Sequence, residues 1–188
     1  MEQIDPRHLL IQVAKILKEL KIAYFVTGGI AVLVWGRPRF TADIDVVVEL
    51  QYGNLDKLEK ALQRLGKAGY IDKKMMASAL YKHGEFNFID GKTGVKVDFW
   101  VMTNDELGRE QLKRRIPKKI LGQKVYFISP ENLILNKMLW YKQSESSRQL
   151  EDIESILKIS GNKLDRKYLT KWITKLDTWE IWRKVKKY

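Results

Sequence analysis

The chain has 188 residues, 45% of them hydrophobic, enough for one ordinary domain or for a domain with a small appended helical part. It has no cysteine and two histidines, which excludes disulfides, thiolate metal sites and cysteine nucleophiles and argues against a multi-histidine zinc site, so any metal is held mostly by oxygen. Lysine plus arginine exceed aspartate plus glutamate by 35 to 23, a formal charge of +12 that favours polyanions such as nucleotides, RNA or DNA; a lysine-rich solvated surface accounts for it equally well.

At the start, MEQIDPRHLL lacks the basic region and long apolar core of a signal peptide, and no apolar run approaches the roughly 20 residues that span a bilayer. A cytoplasmic protein with no membrane partner is expected. Residues 4–20 place Leu9, Leu10, Val13, Ile16, Leu17 and Leu20 on a helical face, opened by Asp5 as cap and Pro6 in the first turn. Residues 23–26 read as a short buried strand. Gly28-Gly29 permits a turn tight enough to bring backbone N–H groups against a ligand, and residues 30–35 open a helix whose N-terminus points back at it, an anion site. Gly36-Arg37-Pro38-Arg39 breaks that helix, and residues 42–50 form the next strand.

A helix with Leu55, Leu58, Leu62 and Leu65 on one stripe follows, stopping near residues 66–69. Residues 75–81 fit no single pattern. Phe86 and Phe88 alternate with polar neighbours over 85–89, and the turn cluster Asp90-Gly91-Lys92-Thr93-Gly94 leads into residues 95–102 as a β-hairpin. Residues 104–119 are a polar, basic helix or loop ending at Pro117, and 124–128 a short strand. Ser129 and Pro130 start a helix that continues over 133–140. Past a polar break at 144–147, residues 150–157 form a helical stripe that Gly161-Asn162 stops. Residues 164–185 make a last helix or helix pair, with Trp172, Trp179 and Trp182 spaced as a core-facing stripe. The change from mixed α/β to all-helical sequence near Ser129 divides the chain into 1–128 and 129–188.

The chemistry concentrates in Asp43-Ile44-Asp45-Val46-Val47-Val48. Residues two apart on a strand point to the same side, roughly 6 to 7 Å apart, so both carboxylates face one surface. They repel, and need a compensating cation, a shared proton or full exposure to water; a divalent metal ion is the most economical of these. Val95-Lys96-Val97-Asp98-Phe99-Trp100-Val101 sets a lone acid in an apolar strand, where it must join a metal site or find an ordinary Lys or Arg. Arg37 and Arg39 stand just before the acid strand, as contacts to a triphosphate or an acceptor, or as a solvated loop.

Gly28-Gly29, thirteen residues, Asp43-Ile44-Asp45-Val46 and then an acid centred in a later strand at Asp98 resemble the nucleotidyltransferase superfamily related to DNA polymerase beta. Ser129-Pro130-Glu131-Asn132-Leu133-Ile134-Leu135-Asn136-Lys137 is similar to a helix start in its small bacterial and archaeal members, including the toxins of type IV toxin–antitoxin systems and minimal nucleotidyltransferases. Asp152 matches the second of two helical aspartates in those relatives, and Gln149 replaces the first. The resemblance covers residues 24–157. It implies an α/β nucleotidyltransferase fold, a short mixed β-sheet flanked by helices with a small helical C-terminal part.

The resemblance further implies that Asp43, Asp45 and Asp98 hold two Mg2+ ions, with Mn2+ as substitute, and that Asp98 also helps activate the acceptor. Thr27, Gly28 and Gly29 would grip the triphosphate, and Lys137 would face the phosphates. The expected reaction moves a nucleoside monophosphate from a nucleoside triphosphate to a hydroxyl and releases pyrophosphate. The acceptor is open between tRNA or another nucleic acid, a protein side chain and a small molecule such as an aminoglycoside, and a cognate partner protein is an expected associate. The alternative is a catalytically silent nucleotide- or nucleic-acid-binding module, one half of a toxin–antitoxin pair.

Overall fold

A computed structural model of the chain describes residues 5–65 and 68–185. Ile4 and Gly66, where the first helix was expected to open and the Leu55–Leu65 stripe to stop, lie outside them. The elements run α1 (Pro6–Glu19), β1 (Tyr24–Val26), α2 (Gly28–Trp35), β2 (Ile44–Val48), α3 (Leu55–Gln63), α4 (Lys73–Lys82), β3 (Glu85–Ile89), β4 (Lys96–Val101), α5 (Glu106–Lys113), β5 (Ile116–Ile120), β6 (Gln123–Phe127), α6 (Pro130–Ser144), α7 (Ser147–Ser160), α8 (Arg166–Lys175) and α9 (Trp179–Val185). They form two compact units, residues 1–30 with 41–127, and residues 31–40 with 128–188. Among the described residues no helix is long and apolar enough to cross a membrane.

The first unit is built on a six-stranded mixed sheet of order β3-β4-β2-β1-β6-β5. β2 runs parallel to β4 and β1 parallel to β6, while the β1/β2, β3/β4 and β5/β6 pairs are antiparallel. Strand alternation decides which face is covered. Ile44, Val46 and Val48 of β2, Val97, Phe99 and Val101 of β4, and Phe86 and Phe88 of β3 are all buried, and Phe86 stacks on Phe99 at 5.0 Å between ring centroids. Each such side chain contributes roughly 1.5–3 kcal/mol by leaving water. α3 packs against both α1 and α4, with α1 also against β6 and α4 against β3 and β4. The intervening residues of β2 and β4, Asp45, Val47, Lys96, Asp98 and Trp100, are only half-buried on the opposite face.

Several elements differ from their expected form. Residues 116–120, expected to end a helix or loop, are a strand, with Pro117 paired to Tyr126 in the antiparallel ladder. Proline is tolerated there because β5 is the edge of the sheet and its missing N–H deprives no inner strand. The hairpin turns at Leu121 and Gly122, both with positive φ (45° and 79°), the backbone form that a two-residue hairpin loop requires. The double glycine makes the expected bend, with Gly28 at φ +61°, and α2 opens at Gly28, two residues earlier than expected. β2 is shorter than expected, so Asp43 stands one residue before it. Residues 73–82 form a helix whose N–H groups at Lys74 and Met75 donate to the Asp72 carboxylate at 2.7 and 3.3 Å.

In the second unit, α6 is buried around most of its circumference, from Pro130 to Leu135 and again at Lys137 and Met138, the signature of a central helix. The N–H of Asn132 donates to Ser129 Oγ at 3.3 Å at its start. The expected last segment is the pair α8 and α9, separated at Asp177, where φ is +51°. Trp172 and Trp182 are buried, and the Trp179 indole N–H donates to Thr174 Oγ1 at 3.1 Å. The Tyr168 hydroxyl donates to Asn132 Oδ1 at 2.8 Å, tying α8 to α6. Residues 31–40 are fixed to this unit: the Trp35 indole N–H donates to the Ile128 carbonyl at 2.9 Å, and Ser160 Oγ to the Trp35 carbonyl at 2.6 Å.

Candidate active site

The first unit brings acids together on the open face of its sheet. In the parallel pairing of β2 with β4, Asp45 is the register partner of Asp98, and Ile44 that of Val97. Partners on neighbouring strands lie roughly 4.8 Å apart and point the same way, so the two carboxylates are direct neighbours. Asp43 stands just before the first pair of this ladder, and its charge acts on Lys96. The Lys96 ammonium sits 2.8 Å from Asp98 Oδ2, with side-chain exposures of 38% for the lysine and 14% for the aspartate. The Asp98 hydrogen bond raises the Lys96 pKa above its ordinary value; partial burial opposes this, and the charges of Asp98, Asp43 and Glu85 reinforce it. A protein cation thus already stands among the acids. The lysine was missed in the sequence, although its position two before Asp98 puts it on the same face.

The backbone bend beside these acids explains the spacing from the double glycine. Gly28 has φ +61°, a left-handed conformation that glycine adopts without strain. A methyl group at that position would collide with Oδ2, Cγ and Cβ of Asp45. The same approach is tied by the Thr27 N–H, which donates to the Asp45 carbonyl at 2.9 Å. Thr27 is 1% exposed and its Oγ1 has no hydrogen-bond partner among the described residues. Gly28 and Gly29 open α2, so their N–H groups belong to the positive end of a helix.

Among the described residues, no group of three or more His, Cys, Asp or Glu side chains is gathered tightly enough to hold a metal ion. The donors available on this face are carboxylate oxygens, which suit Mg2+ or Mn2+ and not a thiolate- or imidazole-seeking metal. The Lys96 ammonium pairs with one of these acids, Asp98.

The second unit holds the other candidates. Arg39 forks the Asp152 carboxylate with bonds of 2.7 and 2.8 Å, and Lys137 Nζ reaches the same carboxylate at 2.7 Å. Lys137 and Asp152 are 4% and 3% exposed, so the pair is buried. Burial pushes the Asp152 carboxyl upward, but the hydrogen bonds from Arg39 and Lys137 outweigh it and leave the pKa below the ordinary carboxylate value. Arg37 is exposed, and its backbone N–H donates to Ser155 Oγ. Arg37, Arg39, Asp152, Ser155 and Lys158 line a cleft of about 830 Å³ in this unit. Gln149 lies one helical turn before Asp152, and its Oε1 is buried with no hydrogen-bond partner among the described residues.

The model of the family described as nucleotidyl transferase AbiEii toxin, type IV TA system, matches residues 15–180. No curated protein matches the chain. Solved structures similar to it include an antigenic nucleotidyltransferase-like protein from Paracoccidioides brasiliensis, at 22% identity over 81% of this chain and 75% of that one, TM-score 0.53. The antibiotic-resistance factor ANT(2")-Ia, solved with adenylyl-2"-tobramycin, is 14% identical over 90% and 98% of the two chains, TM-score 0.60. The lincomycin-bound lincosamide antibiotic adenylyltransferase LnuA is 14% identical over 83% and 98%, TM-score 0.52. At these identities the likeness shows a shared nucleotidyltransferase fold.

Proposed function

The chain belongs to the nucleotidyl transferase AbiEii toxin family of type IV toxin–antitoxin systems, and from that premise we propose that it transfers a nucleoside monophosphate from a nucleoside triphosphate to a hydroxyl, releasing pyrophosphate. The observation that carries the reading is the pairing of Asp45 with Asp98 on the face where Gly28 bends against the Asp45 side chain. Asp43, Asp45 and Asp98 would hold Mg2+ or Mn2+, whose charge would offset that of the phosphates and make the acceptor hydroxyl more acidic.

The chain's own groups do the rest. The acceptor oxygen bonds to the α-phosphorus as the bond to the pyrophosphate oxygen breaks, and the acceptor's proton goes to a carboxylate oxygen of Asp98. N–H groups of Gly28 and Gly29 at the start of α2, with the Thr27 hydroxyl, donate to triphosphate oxygens. In the second unit, Arg37, Arg39 and Lys137 are the proposed cationic contacts for an anionic ligand. Asp152 holds the last two in fixed directions, which lowers the ordering cost of binding.

The net charge of +12 supports a nucleic acid as acceptor, tRNA being the proposed one. A small-molecule hydroxyl is the second acceptor class, supported by the fold shared with ANT(2")-Ia and its adenylyl-2"-tobramycin. The family supports a toxin acting in the cytoplasm beside a cognate antitoxin. The test is incubation of the chain with each labelled nucleoside triphosphate, Mg2+ and either total RNA or tobramycin. Label transfer that requires Mg2+ and disappears in Asp45→Asn is expected. Triphosphate binding with no transfer to either acceptor points instead to a silent binding module, a reading favoured by the Lys96–Asp98 ion pair, which satisfies the acid without a metal.

A further inference from the structure

We propose that Lys96 is a resident counter-ion of the acid face: its ammonium neutralises Asp98 and neighbouring Asp43 while no metal is bound, and a divalent cation must displace it to bind. The inference rests on the reading of Asp43, Asp45 and Asp98 as the metal-holding acids. Three observations support it. Lys96 lies two residues before Asp98 on β4, so strand parity sends its side chain to the same face, and its ammonium reaches Asp98 at 2.8 Å. Asp45 is the register partner of Asp98, and Asp43, just before the first pair of that ladder, acts on Lys96 by its charge, so the ammonium stands amid the acids that repel one another. And Lys96 is 38% exposed, so its stem lies at the rim, where it swings into solvent without unpacking the core.

The residue type matters. A lysine is a single charge on a flexible stem and releases a carboxylate easily, whereas an arginine grips it with a planar fork. The contrast is built into this chain, where Arg39 forks Asp152, which is 3% exposed. An ion pair as exposed as Lys96–Asp98 holds by a factor of about five at most, and a divalent ion shared by several carboxylates outcompetes it. Lys96 therefore sets the metal concentration at which the face becomes loaded.

The test is Mn2+ titration of the whole chain without nucleotide, followed by the spin resonance of free Mn2+, for the wild type, Lys96→Met and Lys96→Arg. Thermal unfolding in EDTA runs alongside. Lys96→Met is expected to bind Mn2+ about tenfold more tightly, because both the competing pair and the repulsion of the ion are gone. In EDTA it unfolds at a lower temperature than wild type, and Mn2+ restores the loss. Lys96→Arg, which keeps the charge, binds Mn2+ no more tightly than wild type. A lysine that only supports the fold would lower stability and Mn2+ affinity together, so opposite signs are the signature. Equal Mn2+ affinity in Lys96→Met and wild type, with binding abolished by Asp45→Asn, overturns the inference and leaves the acid site standing. Mn2+ binding that is absent, or indifferent to Asp45→Asn, in wild type and Lys96→Met alike overturns both. Should Lys96→Met fail to fold, Lys96→Gln makes the same comparison.

Discussion

Gly28 concentrates two demands in one residue. Its φ of +61° costs an L side chain about 1–3 kcal/mol, and the space a methyl would fill is taken by the Asp45 side chain. Gly28→Ala is therefore expected to lower the melting temperature by about 2–10 °C for a chain of this size and to weaken Mn2+ binding by pushing Asp45 aside. Gly161→Ala is the matched control, since a methyl there meets open space. Thermal melts of the two variants, with Mn2+ titrations beside them, check this; equal melting temperatures would show that the bend relaxes around a side chain.

At the scale of elements, Asp152 joins α7 to α6 through Lys137 and to the segment before β2 through Arg39. Removing it breaks the buried Lys137–Asp152 ion pair, and Asp152→Ala is expected to cost about 3–5 kcal/mol in a denaturant titration. The pH dependence has a definite sign. The folded carboxyl is held below its unfolded value of 3.8, so its stabilisation is complete above that value and is lost as pH falls through the lower folded pKa. The stability gap between wild type and Asp152→Asn should be constant near neutrality and shrink below about pH 4. A gap that persists into stronger acid would place the contribution in packing, not in charge.

The long helices were legible because their apolar residues repeat over several turns, as in α1. α4 was not, since only Met76 and Ala79 of its ten residues are buried. β5 was hidden because proline and two lysines occupy three of its five positions, and only its edge place in the sheet makes that sequence a strand. The site divides in the same way. Parity within a strand put Asp43 with Asp45 and aimed Asp98 at one face, but β2 and β4 are parallel, and no short turn sets their register. That Asp45 and Asp98 are direct partners came only from the folded chain. Arg39 and Asp152 are 113 residues apart, and no local pattern joins them.

The charge of the whole molecule is unevenly placed. Residues 111–130 hold Lys113, Arg114, Arg115, Lys118, Lys119 and Lys124 and no acid, and β5 and β6, which carry the last three, form the edge hairpin of the sheet. Lys119 is the register partner of Lys124, and both are exposed. Like charges directly opposite each other on a sheet are unfavourable, and a polyanion laid across them would remove that penalty. Lys124 also stands 5.1 Å from the Tyr126 ring, with Arg115 at 4.9 Å, a cation–π cluster at the same edge. If the acceptor is RNA, replacing Lys118, Lys119 and Lys124 together by glutamine should weaken binding to a single-stranded RNA and flatten the slope of log affinity against log salt by about two, at roughly 0.7 for each phosphate no longer neutralised. Transfer to a small-molecule acceptor such as tobramycin should be unaffected by the same variant. Filter binding across a salt series measures the slope, and one unchanged by the triple substitution would move the RNA-binding face to another part of the surface.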